Sequence, residues 1–358
     1  MAACSQAEAQ RISYIGPRME GVRLLGLVSS DGSRREELLT KVPDLGGMLQ
    51  WAPDGRHAAV LRREDDATYL ADIEQGILIQ CLDCGLEGAS QPEFSPDGTM
   101  IALSERSGLY VTRLDGRGLI QLSSLPDPAW LTWSPDGKSI GFGYWDGGTI
   151  HIFRVDLADS RVTNLTQTYG EGGDFEAPQW SPRGDLIAFN LHRRGFHVAV
   201  MNPDGTGMRE IADRKMPFEG YEPGSGPPPV WSPDGEKIAF VSTSPFGDLD
   251  IFSVNVDGTG LKNVSNHPGG DYRPAWSPDG DRMAFISTRD GNAEVYVINV
   301  DGTDARRLTD TPFIDEESPA WRPRPDEGPS MWPIAAGGAA LLVILALGAG
   351  ARRRKGAK

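Results

Sequence analysis

A short string recurs along this chain at nearly constant intervals, and the recurrence leaves few architectures open. Trp231-Ser-Pro-Asp-Gly235, followed by Glu236-Lys-Ile-Ala-Phe240, has near copies at Trp51-Ala-Pro-Asp-Gly, Phe94-Ser-Pro-Asp-Gly, Trp133-Ser-Pro-Asp-Gly, Trp180-Ser-Pro-Arg-Gly and Trp276-Ser-Pro-Asp-Gly, with a worn copy at Trp321-Arg-Pro. Successive aromatic residues stand 43, 39, 47, 51, 45 and 45 positions apart. A period near 45 marks a repeat architecture, whose units cannot bury their apolar faces alone and are stabilised by stacking on one another.

One unit, Pro274 to Asp310, shows what is repeated. Pro274-Ala-Trp276 is a short apolar run that ends at Ser277-Pro-Asp-Gly280. There Pro presets φ, Asp can accept from its own backbone, and Gly takes the left-handed conformation, so the chain reverses tightly. Arg282-Met-Ala-Phe-Ile-Ser287 and Glu294-Val-Tyr-Val-Ile-Asn-Val300 are apolar, β-branched and aromatic, and read as buried strands. Asp301-Gly302-Thr303 signals a hairpin, and Arg306-Arg-Leu-Thr309 is a polar last strand suited to an outer edge. Four strands per unit in a closed series is the pattern of a β-propeller blade, since a ring leaves only short protected edges. Two landmarks agree between units: Asp-Gly at 31–32, 115–116, 204–205, 257–258 and 301–302, and a following Leu/Val-Thr/Ser as at Leu165-Thr166 and Val264-Ser265.

Arg11-Ile-Ser-Tyr-Ile-Gly16 reads as a second strand without its first, and Ser318-Pro-Ala-Trp321 as a first strand without its sequel. The two ends are therefore expected to complete one blade together. Six internal blades and this composite make seven, although six or eight also fit a count blurred by Trp130 and the irregular 212–229 segment. The string Pro-x-Trp-Ser-Pro-Asp-Gly-x-x-Ile-Ala-Phe, then Asp-Ile-Phe-x-Val-Asn-x-Asp-Gly-Thr and Leu-Thr, resembles the WD-type repeat of TolB-like propellers over residues 11–323. Similar blades occur in periplasmic TolB, in propeller domains of prolyl-oligopeptidase-type hydrolases and in some oligogalacturonate lyases. The resemblance thus implies a fold and no single activity.

The formal charge is −15, and setting aside the five basic residues Arg352, Arg353, Arg354, Lys355 and Lys358 leaves −20 on the rest. Nucleic-acid binding needs a basic surface, so it is not expected here. Residues 333–351 carry no charge, and nineteen residues at about 1.5 Å rise nearly match a hydrocarbon core of about 30 Å. Trp332 would sit at one interface and the basic cluster would stay cytoplasmic, leaving the propeller outside the cytoplasm. A buried C-terminal helix and a cleavable sorting tail, with Gly337-Gly338 ahead of the apolar stretch, are the other readings. The expected organisation is a disordered 1–10, a propeller over 11–323, a linker over 324–332, a membrane helix over 333–351 and a basic tail over 352–358. Met1–Gln10 has neither a basic start nor an apolar core, so export would require further coding sequence upstream; a tail-anchored propeller facing the cytoplasm is the alternative.

Cys81-Leu-Asp-Cys84 cannot complete a four-ligand zinc site without a second pair, and a local disulfide or two free thiols is expected. Neither Gly-x-Ser-x-Gly nor His-Glu-x-x-His is present, and no loop matches an EF-hand. No catalytic residue, metal or cofactor is assigned. In a four-stranded blade the Ser-Pro-Asp-Gly turns and Asp-Gly-Thr hairpins share one face, and the second-to-third-strand loops and interblade loops share the other. The second face varies in length, as functional loops on a rigid scaffold do. Its long segments 167–176, 212–229, 266–273 and 311–317 mix aromatic residues with carboxylates, which suits contact with an envelope or surface protein or a glycan. The candidate contact residues are Tyr169, Asp174, Phe175, Phe218, Tyr221, Glu222, His267, Asp271, Tyr272, Arg273, Phe313 and Asp315. The rival expectation is a lyase-like or hydrolase-like site in the funnel, for which His267 with Asp271 is the main material.

Overall fold

The computed structural model describes residues 10–323 apart from 20–21, 38–44, 63–66, 74, 76, 83–89, 170–172, 215–225, 246 and 311–316. These residues form seven four-stranded antiparallel sheets, a seven-bladed propeller. Blade 1 is the composite: Glu317–Trp321, Arg11–Met19, Val22–Ser29 and Arg35–Glu37. Blade 2 comprises Leu45–Trp51, His57–Arg62, Ala67–Asp72 and Ile77–Cys81, and blade 3 comprises Ser90–Phe94, Met100–Glu105, Gly108–Arg113 and Ile120–Ser123. Blade 4 comprises Ala129–Trp133, Ser139–Trp145, Ile150–Asp156 and Arg161–Asn164, and blade 5 Asp174–Trp180, Ile187–His192, Phe196–Met201 and Arg209–Arg214. Blade 6 comprises Val230–Trp231, Lys237–Thr243, Leu249–Asn255 and Lys262–Asn263, and blade 7 Asp271–Trp276, Arg282–Ser287, Glu294–Asn299 and Arg306–Arg307. The expected linker, membrane helix and basic tail lie outside the described residues, as do the side chains of Cys81 and Cys84. No helix among the described residues is long and apolar enough to cross a membrane.

The apolar residues divide into seven clusters, each shared by two adjacent blades. Leu27 and Ala320 of blade 1 pack with Trp51, Val60 and Ile73 of blade 2; Val230 and Ile251 of blade 6 pack with Trp276, Phe285 and Tyr296 of blade 7. The aromatic residue that begins each repeat lies in one of these joints, which explains its recurrence. Its ring fills the seam, and in five of the seven joints its N–H reaches back to the preceding blade. Trp133, Trp231, Trp276 and Trp321 donate to the carbonyls of Glu93, Gln179, Val230 and Ala275 at 2.9, 2.9, 3.1 and 2.9 Å. Each acceptor immediately precedes the aromatic of its own blade. Trp51 uses a relay, donating to Ser13 Oγ at 2.8 Å, which itself donates to the Ala320 carbonyl at 3.1 Å.

Two joints lack this bond. The Phe94 ring has no N–H, and there Gln50 Nε2 donates to the Glu93 carboxyl instead. Burial drives the Glu93 carboxyl up to about 8, against the lowering effect of Gln50. Trp180 Nε1 is buried without a partner, while the Trp180 backbone N–H donates to Thr132 Oγ1 at 3.1 Å. Both Trp231→Phe and Trp180→Phe remove ring volume from a buried seam, but Trp231→Phe is expected to cost about 1 kcal/mol more, because only Trp231 loses a hydrogen bond. Urea midpoints measure this, and equal losses at the two positions would refute the role given to the indole bond.

The tight turns are fastened alike. Ser95, Ser134, Ser232 and Ser277 donate through Oγ to Asp97, Asp136, Asp234 and Asp279 at 2.6, 2.7, 2.6 and 2.5 Å. In the divergent Trp180-Ser-Pro-Arg-Gly copy, Asp185 takes that role, accepting from Ser181 Oγ at 2.7 Å. The Ser134 hydroxyl, with the Lys138 N–H, holds the Asp136 carboxyl below the usual range. The outer landmarks also meet in space. A Cβ at Gly205, where φ is 84°, would lie 2.4 Å from the Leu165 carbonyl, so the Asp204-Gly205 hairpin of blade 5 sits directly on the Leu165-Thr166 segment of blade 4.

The ring closes through its ends. Ile12 pairs with Trp321 and Ser13 with Ala320, the Arg322 N–H donates to the Arg11 carbonyl at 2.9 Å, and Arg322 Nε donates to the Gly55 carbonyl of blade 2 at 2.7 Å.

Candidate interaction face

Each first strand begins on the variable face and ends at a tight turn on the regular face, so the segments ahead of blades 5, 6, 7 and 1 are consecutive around one rim. Three of these inner strands carry a bulge at the same place. Trp130, Ala177 and Arg273, each three residues before the aromatic, have φ of 53°, 53° and 55°, and the register shifts there. A bulge of this kind bends the strand and re-aims side chains. Arg273 is thus placed by the inner-strand bulge of blade 7.

Several other candidates serve the framework. Asp174 opens the first strand of blade 5, and its Oδ1 accepts the Ile150 N–H of blade 4 at 2.8 Å. Phe175 is 1% exposed and packs against Phe189 and Tyr169. Tyr169, in the short turn Gln167–Tyr169, donates from its hydroxyl to the Gly205 carbonyl at 2.8 Å and accepts the Met208 N–H at 3.2 Å. These three lock blade 4 to blade 5.

Asp271 is fully buried at the start of the blade 7 inner strand, 3.2 Å from Arg289 Nη2, whose side chain is 8% exposed. Burial raises the Asp271 carboxyl, and Ser287 and Arg289 oppose the shift. Arg289 also lies over the Tyr296 and Phe285 rings at 4.7 and 5.5 Å and donates to Ser287 Oγ at 2.7 Å. Glu294, equally buried, accepts from Arg307 Nη2 at 2.8 Å and Asn292 Nδ2 at 2.8 Å. The same Arg307 reaches Asp310 at 2.7 Å and Asp290 at 3.3 Å. The charges of blade 7 are thus held in mutual pairs that fix its upper loops.

His267 is exposed, and its Nδ1 lies 2.6 Å from the Pro268 carbonyl. Tyr272 is half-buried. The structure does not bring His267 to Asp271, because the register makes Asp271 a strand residue paired with Ser287 and closed in by Arg289. Phe218, Tyr221, Glu222, Phe313 and Asp315 lie outside the described residues. Among the described residues no group of three or more His, Cys, Asp and Glu could hold a metal ion.

The TolB beta propeller domain model matches residues 7–219 and 215–327. This chain belongs to that family. It is 29% identical over 248 residues to the Tol-Pal system protein TolB of Gluconobacter oxydans, covering 66% of this chain and 52% of that protein. Among solved structures, a puromycin hydrolase superposes with a TM-score of 0.66 at 16% identity, over 85% of this chain and 53% of the other. An oligogalacturonate lyase of Vibrio parahaemolyticus superposes with a TM-score of 0.63 at 13% identity, over 82% of this chain and 94% of the lyase. The chain spans about half the length of that TolB and of the hydrolase. The two structural likenesses carry the fold alone, so the expected blade architecture is established and activity is decided by the side chains.

Proposed function

We propose that this chain is a non-catalytic, extracytoplasmic propeller that presents its variable face to an envelope or surface protein or glycan and is tethered by the apolar segment 333–351. The observation that carries the reading is the disposition of charge in blade 7. Asp271 and Glu294, the buried carboxylates at the rim, are paired with Arg289 and Arg307 in a loop-fixing network. A general base needs a carboxylate or imidazole within reach of a substrate proton, whereas these two carboxylates are fully buried. A rim stiffened this way is suited to holding loops in one conformation, which lowers the ordering cost of association.

The rival reading, a lyase or hydrolase site in the funnel, is favoured by the fold shared with a hydrolase and a lyase. Photocrosslinking in cells separates them. A crosslinker at His267 on the variable face of blade 6 is expected to trap discrete macromolecular partners, and one at Asp257, on the regular face of the same blade, is not. Equal adducts from both faces, or turnover of polygalacturonate or a peptide substrate by the purified chain, would overturn the platform reading. Location is tested by adding protease to intact and to osmotically opened cells; cleavage only after complete lysis, with the chain in the cytosol, would remove the extracytoplasmic assignment.

A further inference from the structure

We infer that the second-to-third-strand hairpins of blades 3, 4 and 5 form a docking surface for an acidic polypeptide segment. The inference rests on the variable face being an interaction platform and gives one sector of that face a ligand chemistry. Two observations meet there. Trp145, the last residue of the blade 4 second strand, is 64% exposed, whereas the tryptophans in the blade joints are buried. On either side of it stand Arg106 in the blade 3 hairpin and Arg193 and Arg194 in the blade 5 hairpin, all exposed and none in an ion pair among the described residues. In blade 7 the rim arginines Arg289 and Arg307 do have carboxylate partners. The difference is notable in a chain of formal charge −15.

The backbone places these groups together. Ser104, two residues before Arg106, donates through Oγ to the Pro128 carbonyl at the entry to blade 4, and Ala129 pairs with Gly143 in the strand that ends at Trp145. Trp145 pairs with Ile150, the Ile150 N–H donates to Asp174 of blade 5, and Asp174 pairs with His192, next to Arg193. Of the nearby carboxylates, Asp146 is held by backbone and by His151 Nε2, 3.5 Å from its Oδ2, the buried Glu105 accepts the Ser107 N–H at 2.8 Å, and Glu210 and Asp213 lie 3.6 and 3.1 Å from His197 Nδ1. Asp146 Oδ1 accepts the Gly148 and Thr149 N–H groups, each at 3.0 Å, and those bonds, Thr149 first, hold its carboxyl below the usual range. The blade 5 hairpin is closed by the Arg193 N–H to the Gly195 carbonyl at 2.9 Å, so its two guanidinium groups leave a fixed base.

The chemistry selects the partner. Guanidinium forks bind carboxylates in two parallel bonds. An exposed Trp flanked by arginines has the composition of the centre of a protein–protein interface, where Trp and Arg dominate binding energy. Three exposed arginines without an ion-pair partner among the described residues, in an otherwise acidic body, also favour the approach of an acidic chain at this rim.

Fluorescence anisotropy of the full chain with a fluorescein-labelled hexaglutamate peptide tests this. Binding is expected to be saturable and to weaken between about 25 mM and about 300 mM salt. Arg193→Gln with Arg194→Gln should weaken it about tenfold, and Trp145→Ala about threefold or more. Arg117→Gln with Arg161→Gln, which removes two exposed arginines away from this hairpin cluster, should leave it unchanged. Absence of saturable binding, or an equal loss in the Arg117/Arg161 variant, would overturn the proposal. So would Trp145- and Arg193-dependent binding of an oligogalacturonate without binding of hexaglutamate, which would assign the sector to an anionic glycan. If hexaglutamate fails while the His267 crosslinks persist, only the acidic-peptide assignment falls; loss of both removes the platform reading as well.

Discussion

Deleting Glu317–Trp321 is expected to lower the melting temperature by roughly 10–20 °C, because it removes an inner strand and opens two joints at once. Trp321 is buried between blades 1 and 7, and losing a packed Trp side chain alone costs about 3–5 kcal/mol. Ser13 would lose its acceptor at Ala320, and with it the relay that satisfies Trp51 in the next joint. A chain ending at Pro323 keeps every one of these contacts and should melt like the full-length protein. If the deletion and the Pro323 truncation melt together, closure by the terminal strands contributes nothing to stability.

The second large effect concerns the buried pair of blade 7. Arg289→Ala should destabilise the propeller by about 3–5 kcal/mol near neutral pH, since it leaves Asp271 buried and uncompensated. Burial already raises the Asp271 carboxyl, and removing Arg289 raises it further. A folded-state carboxyl that holds its proton more tightly than the unfolded one, whose value is about 3.9, loses stability as pH rises above that value toward and past the folded one. The variant should therefore be less impaired near pH 4, close to the unfolded value, than near pH 8, each tenfold gain in proton affinity on folding costing about 1.4 kcal/mol once the group must ionise. Part of the loss will not depend on pH, because Arg289 also covers the Tyr296 and Phe285 rings. Adding Asp271→Asn to Arg289→Ala should remove the pH-dependent part and keep the rest. Urea unfolding at the two pH values checks this; a loss that is the same at both would show that Asp271 is not the charge left exposed to burial.

The blade fold was legible because its determinants are local. Trp-Ser-Pro-Asp-Gly encodes a ring for the joint and a self-fastening turn in five adjacent residues, so even the Arg183 copy folds alike once Asp185 takes over the carboxylate role. The face was harder to read, because residue type does not reveal which way a strand end points. Asp174, Phe175 and Asp271 read as loop residues in aromatic and acidic segments, yet the inner strands begin earlier than the apolar pattern does and draw all three into the framework. Tyr169 was indistinguishable from a contact residue until its hydroxyl met Gly205, 36 positions away. Trp145 was missed for the opposite reason. At the end of Ser-Ile-Gly-Phe-Gly-Tyr-Trp it resembles core, and the one available signal was the Asp-Gly-Gly that follows it.

The uneven girdle of indole bonds has a consequence for how the ring yields. Joints 2/3 and 4/5 lack the tryptophan bond, one because of Phe94 and the other because Trp180 Nε1 has no acceptor. Under thermal fluctuation or mechanical pull the ring should part first along these two seams, freeing blades 3 and 4 as a hinged pair while the rest stays shut, and amide exchange there should be the fastest of any inner strand. A ligand lying across the hairpins of blades 4 and 5 would bridge one of the two seams and slow its opening.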